Sequence, residues 1–350
     1  MSAAAPLIVT GAGGVGKTTI SAALGVAAAR AGRTVLVVTV DPAMRLADAL
    51  GIAGIRNEPS PVPEVPGLSA AMLDVAASWE ATVLRHAEPQ VADRLLVNPF
   101  FRAIADRFPA AQAYAAAEQM TTFVERGTWD LVVVDTPPSA GGLDFFGAPR
   151  RMRALVGGRV LRWLTGARLP ARRTIYRFTA RPVLRVADAV LGGPLLEEIA
   201  DFLIDLRTLY DGLSSRARVI ERLMTHATIL VVTTADPTPM RESRRFFDEL
   251  SSLAIVPHGV VFNRTLPATW SEATPGVDAR GPDSVALRDN LARWAAEAVR
   301  MRDAREEFAA HHRTPVAVVP WFATTPTSLD ALGEVVRSAD GIDLERLVTE

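Results

Sequence analysis

Apolar residues along the chain fall into two alternating periods. Six short runs are rich in valine and isoleucine and bounded by glycine, proline or charge: Pro6 to Thr10, Arg33 to Val40, Leu131 to Val134, Thr228 to Thr233, Gly259 to Phe262 and Thr314 to Val319. Runs of that length and composition predict strands buried on both faces. Between them the spacing changes to that of helices. Thr18 to Ala31 carries Ile20, Leu24, Ala27 and Ala28 at helical intervals, and Gly32 supplies a stop. Residues 76 to 126 read as several helices broken near Pro99 and Pro109, Pro194 to Met224 as one long helix, and Leu287 to His312 as another. Leu68 to Asp74 returns to the sheet after a connector, 57 to 67, that holds four prolines, and 268 to 283 is a polar loop.

Strands that alternate with helices predict an α/β fold, a mostly parallel sheet flanked by helices. The strand rhythm lapses between Phe145 and residue 225. That gap divides the chain into 1–144 and 226–350, two parts of one domain, with 145–225 as an inserted helical subdomain.

Composition narrows the classes. The chain has 350 residues, 49% of them hydrophobic and 22% charged, with a formal net charge of −1. That balance supports a sizeable core and lacks the basic excess of a nucleic-acid binder. With no cysteine, disulfides, reactive thiols and thiolate metal sites are excluded. No stretch reaches 18 uninterrupted apolar residues and the opening MSAAAPLIV lacks a basic leader, so a cytoplasmic protein is the expectation. Charge is uneven, however: Phe145 to Ala187 holds eleven arginines and no acid. Residues 150–185 read either as a peripheral membrane contact, as a groove for an acidic or nucleic-acid partner, or as a solvated helical insertion whose arginines pair with acids elsewhere. The apolar face of Pro194 to Met224 either packs within the molecule or encloses an apolar client segment.

The chemistry centres on the chain's only lysine. Gly11-Ala-Gly-Gly-Val-Gly-Lys-Thr-Thr19 matches G-x-x-x-x-G-K-[ST] between a predicted strand and a predicted helix, the setting a phosphate-binding loop requires. Gly11, Gly13, Gly14 and Gly16 let the backbone wrap close enough to aim amide hydrogens, that of Val15 among them, at phosphate oxygens, at a helix N-terminus. Lys17 is a compact charge on a flexible stem that reaches between β- and γ-phosphates, whereas arginine brings a broader fork. Thr18 completes the motif and its hydroxyl suits Mg²⁺, and Thr19 follows it as a further nucleotide-binding candidate. Asp41 closes the second strand just before Pro42, and either interacts with magnesium-bound water, orients the attacking water, or caps a helix starting near Pro42. Asp135 closes the Leu131 strand, where it holds Mg²⁺ or caps a turn; Thr136 to Gly142 is then a loop suited to sensing the γ-phosphate. Asn263 ends its strand and reads a base edge or makes a local turn. Trp321 or Phe322, after Pro320, borders a base or fills the last core layer. His311 and His312 lack ligand spacing and read as a solvated helix end.

Together GAGGVGKTT, TVDPAMRLADAL, LVVVDTPPSAGG, TTADPTPMRESRRFFDEL and GVVFNRTLP resemble the ArsA/Get3 family of ATPases, within the deviant-Walker P-loop class, over nearly the whole chain but only loosely at 145–225. The resemblance implies ATP and Mg²⁺ as cofactors, catalysis by Lys17, Asp41 and Asp135, and metal binding by Thr18, Asp41 and Asp135. It implies Asn263 and the backbone from Pro320 through Trp321 and Phe322 around the base, and Glu242 near the nucleotide and a dimer face. It further implies a homodimer, or a heterodimer with a paralogous ATPase, that acts on a hydrophobic helical or membrane-protein client, as a chaperone does. A membrane-surface or nucleic-acid-associated scaffold and a nucleotide-binding pseudoenzyme are the alternatives. Two departures stand out. Ala12 occupies the place of the family's second lysine, so a self-paired molecule either hydrolyses slowly or uses an arginine instead, for instance Arg45, or a related subunit supplies that cation. The cysteines of a zinc-joined dimer or an arsenite site are absent.

Overall fold

A computed structural model describes residues 6–41, 45–107, 109–137, 139–157, 193–271 and 282–349. The strands are β1 (Leu7–Gly11), β2 (Val35–Thr39), β3 (Ser60–Pro61), β4 (Leu68–Met72), β5 (Leu131–Asp135), β6 (Thr228–Thr233), β7 (Gly259–Thr265), β8 (Val316–Pro320) and β9 (Asp340–Gly341). Each predicted run is among them, while β3, inside the expected 57–67 connector, and β9 were not predicted. Their order in one sheet is β3-β4-β2-β5-β1-β6-β7-β8-β9. All pairings are parallel except the two at the edges, β3 on β4 and β9 on β8. The two-residue edge strands leave little open backbone at either side, which limits sheet-to-sheet association.

Two compact units result. The first comprises residues 1–73, 122–143 and 224–350 and holds the sheet. Its core includes the fully buried β1, β2 and β5 and the helix Lys17–Arg30, whose residues from Ile20 to Ala29 are all buried. Alanine-rich composition explains that burial: small side chains allow one helix to be covered by the sheet on one side and by the helices Leu329–Arg337 and Leu344–Thr349 on the other. Phe308 is fully buried against Phe247 and Phe262 in edge-on contacts, fixing the long helix Pro282–His312 to the sheet.

The second unit is helical and comprises 74–121 with 144–223. The expected insertion, 145–225, therefore has a companion segment upstream. Apolar faces of the helices Pro89–Val97 and Pro99–Arg107 pack on Gly193–Thr208, as in the ring contact of Phe100 with Phe202 at 6.0 Å. Sequence separation hid this pairing. The expected single helix 194–224 is two, Gly193–Thr208 and Tyr210–Thr225, parted at Leu209, whose amide turns back to the Leu206 carbonyl. Ser139–Gly157 is helical through Pro149, so the expected loop 136–142 is shorter than predicted. A short helix, Ala268–Ser271, replaces the start of the expected 268–283 loop, whose remainder to 281 lies outside the described residues.

At the middle of the helical unit Glu118, 3% exposed, accepts from Arg216 Nε at 2.6 Å and from Arg85. Burial raises its pKa even against both arginines. Such a bridge adds little net stability when intact, but leaves an uncompensated guanidinium when cut. Glu118→Ala should cost about 3 kcal/mol and Glu118→Gln less, because the amide still accepts a hydrogen bond; chemical denaturation of the two variants checks the difference.

Candidate active site

Because β1, β2, β5, β7 and β8 run parallel, their C-terminal ends share one edge of the sheet, where ligands of open α/β sheets bind. Asp135 closes β5 and Asp41 lies just past β2, as expected from the runs they terminate, and Lys17 begins the helix that follows β1. The phosphate-loop turn leads from β1 into the helix Lys17–Arg30. Gly16 takes φ 97° at the helix start, and an added Cβ there would stand 2.3 Å from Asn263 Nδ2. Only glycine meets both conditions. The first helical turn has no acid and no capping side chain, so its positive end is left for an anion.

Lys17 is 7% exposed and its Nζ donates to the Ala12 carbonyl at 2.8 Å, which folds the amine over the loop. Burial lowers its pKa, opposed by the nearby Asp135 and Asp41 carboxylates, while Arg45 lowers it and Glu242 raises it. Glu242 is thus electrostatically near the loop. The Ala12 methyl is 3% exposed within the core cluster, so position 12 sends nothing outward.

Asp135 is 1% exposed. Its Oδ2 accepts from Thr18 Oγ1 at 2.7 Å and from Thr39 Oγ1 at 3.1 Å, while its buried Oδ1 has no hydrogen-bond partner among the described residues. Burial pushes the carboxyl up to about 6, against the Thr18 and Thr39 hydrogen bonds and the Lys17 charge. A carboxylate with one oxygen held and one open, beside a hydroxyl, is a hard-cation ligand pair. No group of three or more acids and histidines converges among the described residues. The set therefore fits an ion shared with phosphates, as Mg²⁺ is, better than a cage made by protein alone.

Asp41 receives Arg45 Nη1 on its Oδ2 at 3.0 Å, and its backbone N–H donates to Thr39 Oγ1 at 3.1 Å. The next described helix begins at Arg45, and residues 42–44, where the helix that Asp41 would cap was expected to start, lie outside the described residues. Sequence reading missed Thr39. Its hydroxyl joins Asp135 to the Asp41 backbone, and the one available signal was a polar β-branched residue at the ligand end of a buried strand. Thr10, fully buried at the same end of β1, has an Oγ1 without a hydrogen-bond partner among the described residues, and a Cβ added at Gly142 would approach it to 2.9 Å.

Asn263 departs from expectation. β7 continues to Thr265 with a register irregularity between Phe262 and Thr265, so Asn263 lies within the strand and not at its end. Its Nδ2 donates to the Val15 carbonyl at 2.8 Å and its Oδ1 accepts from the Arg264 N–H at 2.9 Å, with Arg264 at φ 57°. In this state the amide braces the phosphate loop. Trp321 is 50% exposed and its backbone N–H donates to the Thr265 carbonyl, whereas Phe322 packs against the core, as the core-layer alternative has it. Both follow Pro320 at the end of β8, three strands from β1. His312 is not a solvated helix end: its ring stacks on Phe308 and Phe247, with centroids 4.4 and 4.6 Å apart, and burial lowers its pKa.

Of the arginine block, only 150–157 is described; the rest of 150–185 lies outside the described residues. Arg150 and Arg153 both bond Glu221, at 2.7 and 2.6 Å, and Arg151 pairs with Asp144. That pairing is what the solvated-insertion reading anticipates. No helix among the described residues is long and apolar enough to cross a membrane.

Comparison with known proteins agrees with this geometry. Residues 5–287 match the family described as Anion-transporting ATPase. The chain is 26% identical over 270 residues to an ATPase get3 of Aspergillus terreus, covering 76% of this chain and 75% of that protein. It is 25% identical over 265 residues to an ATPase get3 of Schizosaccharomyces japonicus, covering 74% of each. An uncharacterized protein of Streptomyces coelicolor is 33% identical over 198 residues, 55% of this chain and about half, 47%, of that protein. With the family matched across most of its length and the phosphate loop standing where the sheet requires it, the chain belongs to the ArsA family of anion-transporting ATPases.

Proposed function

We propose that this ATPase is a Mg²⁺-dependent dimeric switch that acts on a hydrophobic helical or membrane-protein client in the cytoplasm. The observation that carries the reading is the hydrogen-bonded set of Thr18, Thr39 and Asp135 at the head of a helix whose first residue is the only lysine. Loop amides from Gly11 to Thr19 and the Lys17 ammonium hold the β- and γ-phosphates. Thr18 Oγ1 and Asp135 Oδ1 would hold Mg²⁺, which when bound neutralises phosphate charge and polarises the terminal phosphoryl group. Asp41 orients a water and takes its proton as the new P–O bond forms and the β–γ bridge breaks. The alternative role of Asp41 as a direct metal ligand is less favoured because its carboxylate carries Arg45. Asn263 and the segment Pro320 to Phe322 are proposed to flank the base, which requires the Asn263 amide to exchange a loop carbonyl for adenine.

The client reading draws on exposed Leu84, Val97, Leu155 and Ile204, all in the helical unit and each more than half exposed. Arsenite is disfavoured as client, because the chain has no cysteine to bind it. Self-pairing or pairing with a paralogue remains the proposed assembly, and the ion pairs of Arg150, Arg151 and Arg153 favour neither a membrane surface nor nucleic acid as the partner.

The test is Asp41→Asn. ATP affinity should stay within about 3-fold of wild type while the single-turnover rate falls on the order of 100-fold, the range for losing a positioned base. Rapid-quench measurement with calorimetric binding separates the two quantities. A variant that hydrolyses at the wild-type rate removes Asp41 from the mechanism.

A further inference from the structure

We infer that Arg45 is the residue by which this site distinguishes a nucleoside triphosphate from a diphosphate: its guanidinium rests on Asp41 without nucleotide, and moves to the terminal phosphate when one is present. The inference rests on the ATPase reading and adds a residue to it. Among the described residues, four side chains shape the electrostatic environment of Lys17, namely Asp135, Asp41, Glu242 and Arg45. Carboxylates outnumber cations in that set. A polyphosphate entering it adds further negative charge, and Lys17, the chain's single lysine, is already bonded to the Ala12 carbonyl. Position 12 contributes only a buried methyl. Among the described groups that act on Lys17, Arg45 is the remaining cation.

Its geometry suits a transfer. The Arg45 side chain is 65% exposed, so packing does not hold it in place, and its contact with Asp41 uses one nitrogen, Nη1, at 3.0 Å. A solvent-exposed single-point pair of this kind is weak. A phosphate offers the guanidinium a two-point fork and more charge, so the terminal phosphoryl group outcompetes the carboxylate. A diphosphate ends one phosphoryl unit short and gains less from the exchange. The exchange has a second consequence: Asp41 loses the cation from its Oδ2 in the state where a water needs orienting.

Calorimetric titration of the full chain with ATP and with ADP, in EDTA and in Mg²⁺, tests the inference without reference to turnover. Wild type, Arg45→Ala, Asp41→Asn and the double variant form a cycle. In EDTA, Arg45→Ala should weaken ATP binding ~10- to 100-fold and ADP binding by less than ~3-fold. Arg45→Lys should restore part of the difference, because charge returns without the fork. Asp41→Asn should tighten ATP about 3-fold where Arg45 is present, since the guanidinium no longer has to leave a carboxylate, and not where it is absent. If Arg45→Ala changes ATP and ADP affinity equally, or neither, the pair is a local structural contact and the inference falls while the ATPase reading stands. If the wild-type chain binds neither nucleotide, the ATPase reading fails and this inference with it. At 65% exposure the Arg45 side chain can be truncated without opening the core, and unchanged near-ultraviolet dichroism verifies that.

Discussion

Replacing Lys17 by alanine should abolish measurable ATP binding at micromolar concentration, a loss of about 2–5 kcal/mol or roughly 30- to several-thousand-fold. The size follows from burial. Lys17 is 7% exposed and its charge is worth more against phosphate there than on a surface, where water would screen it. Desolvation also lowers its pKa, so without ligand the ammonium is held by the Ala12 carbonyl and the Asp135 and Asp41 charges. Phosphate oxygens would satisfy it better. Lys17→Arg should fail to rescue: the guanidinium keeps the charge but needs a wider slot than one beneath a loop whose Gly16 already lies against Asn263. Titration calorimetry of both variants beside wild type is the check. An alanine variant that binds ATP as wild type does would show that the loop holds no triphosphate.

The loop was legible in the sequence because each of its residue types answers a separate local demand. Gly16 must take a positive φ, Lys17 must reach, and Thr18 must carry a hydroxyl, and these demands hold whatever the rest of the fold does. Asp41 and Asp135 were legible for a different reason: a charged residue that stops a valine run marks a strand end. Thr39 was not legible, since a threonine inside a β-branched run serves as ordinary strand filler until its hydroxyl is seen between Asp135 and the Asp41 amide. Asn263 looked like a strand end because the run GVVF stops there, yet an irregular pairing with β8 carries the strand to Thr265. The helical unit was half legible. Its apolar periodicity is plain, but which stretch packs on which depends on contacts between segments about a hundred residues apart, such as Arg216 with Glu118. Local pattern carries no such information.

Asp135 should show opposite effects on stability and on catalysis. Its carboxyl is pushed from 3.8 to about 6, so the folded chain favours the protonated form. For a pKa raised on folding, the associated stability is fully present below the unfolded value near 4 and lost as pH rises through 6. At pH 7 the nucleotide-free protein therefore carries the whole cost of a buried charge, on the order of 3 kcal/mol. Asp135→Asn removes the charge while its amide oxygen still accepts from Thr18 and Thr39. The new amide N–H₂ falls where Oδ1 had no partner, which returns about 1–2 kcal/mol of the gain. The variant should melt a few degrees above wild type at pH 7, on the order of 2–4 °C, and no higher at pH 4. Mg²⁺-dependent turnover should fall at least ~100-fold, because the oxygen proposed to meet the ion has been replaced by a donor. In wild type the same titration should weaken Mg²⁺ binding, so that turnover needs more Mg²⁺, as pH drops below 6, since a proton and the ion compete for one carboxylate. Melting curves at the two pH values, beside Mg²⁺ titrations of turnover at pH 5.5 and 7.5, measure both arms. If the variant melts below wild type at pH 7, burial does not penalise this charge. If it keeps turnover, the ion sits elsewhere.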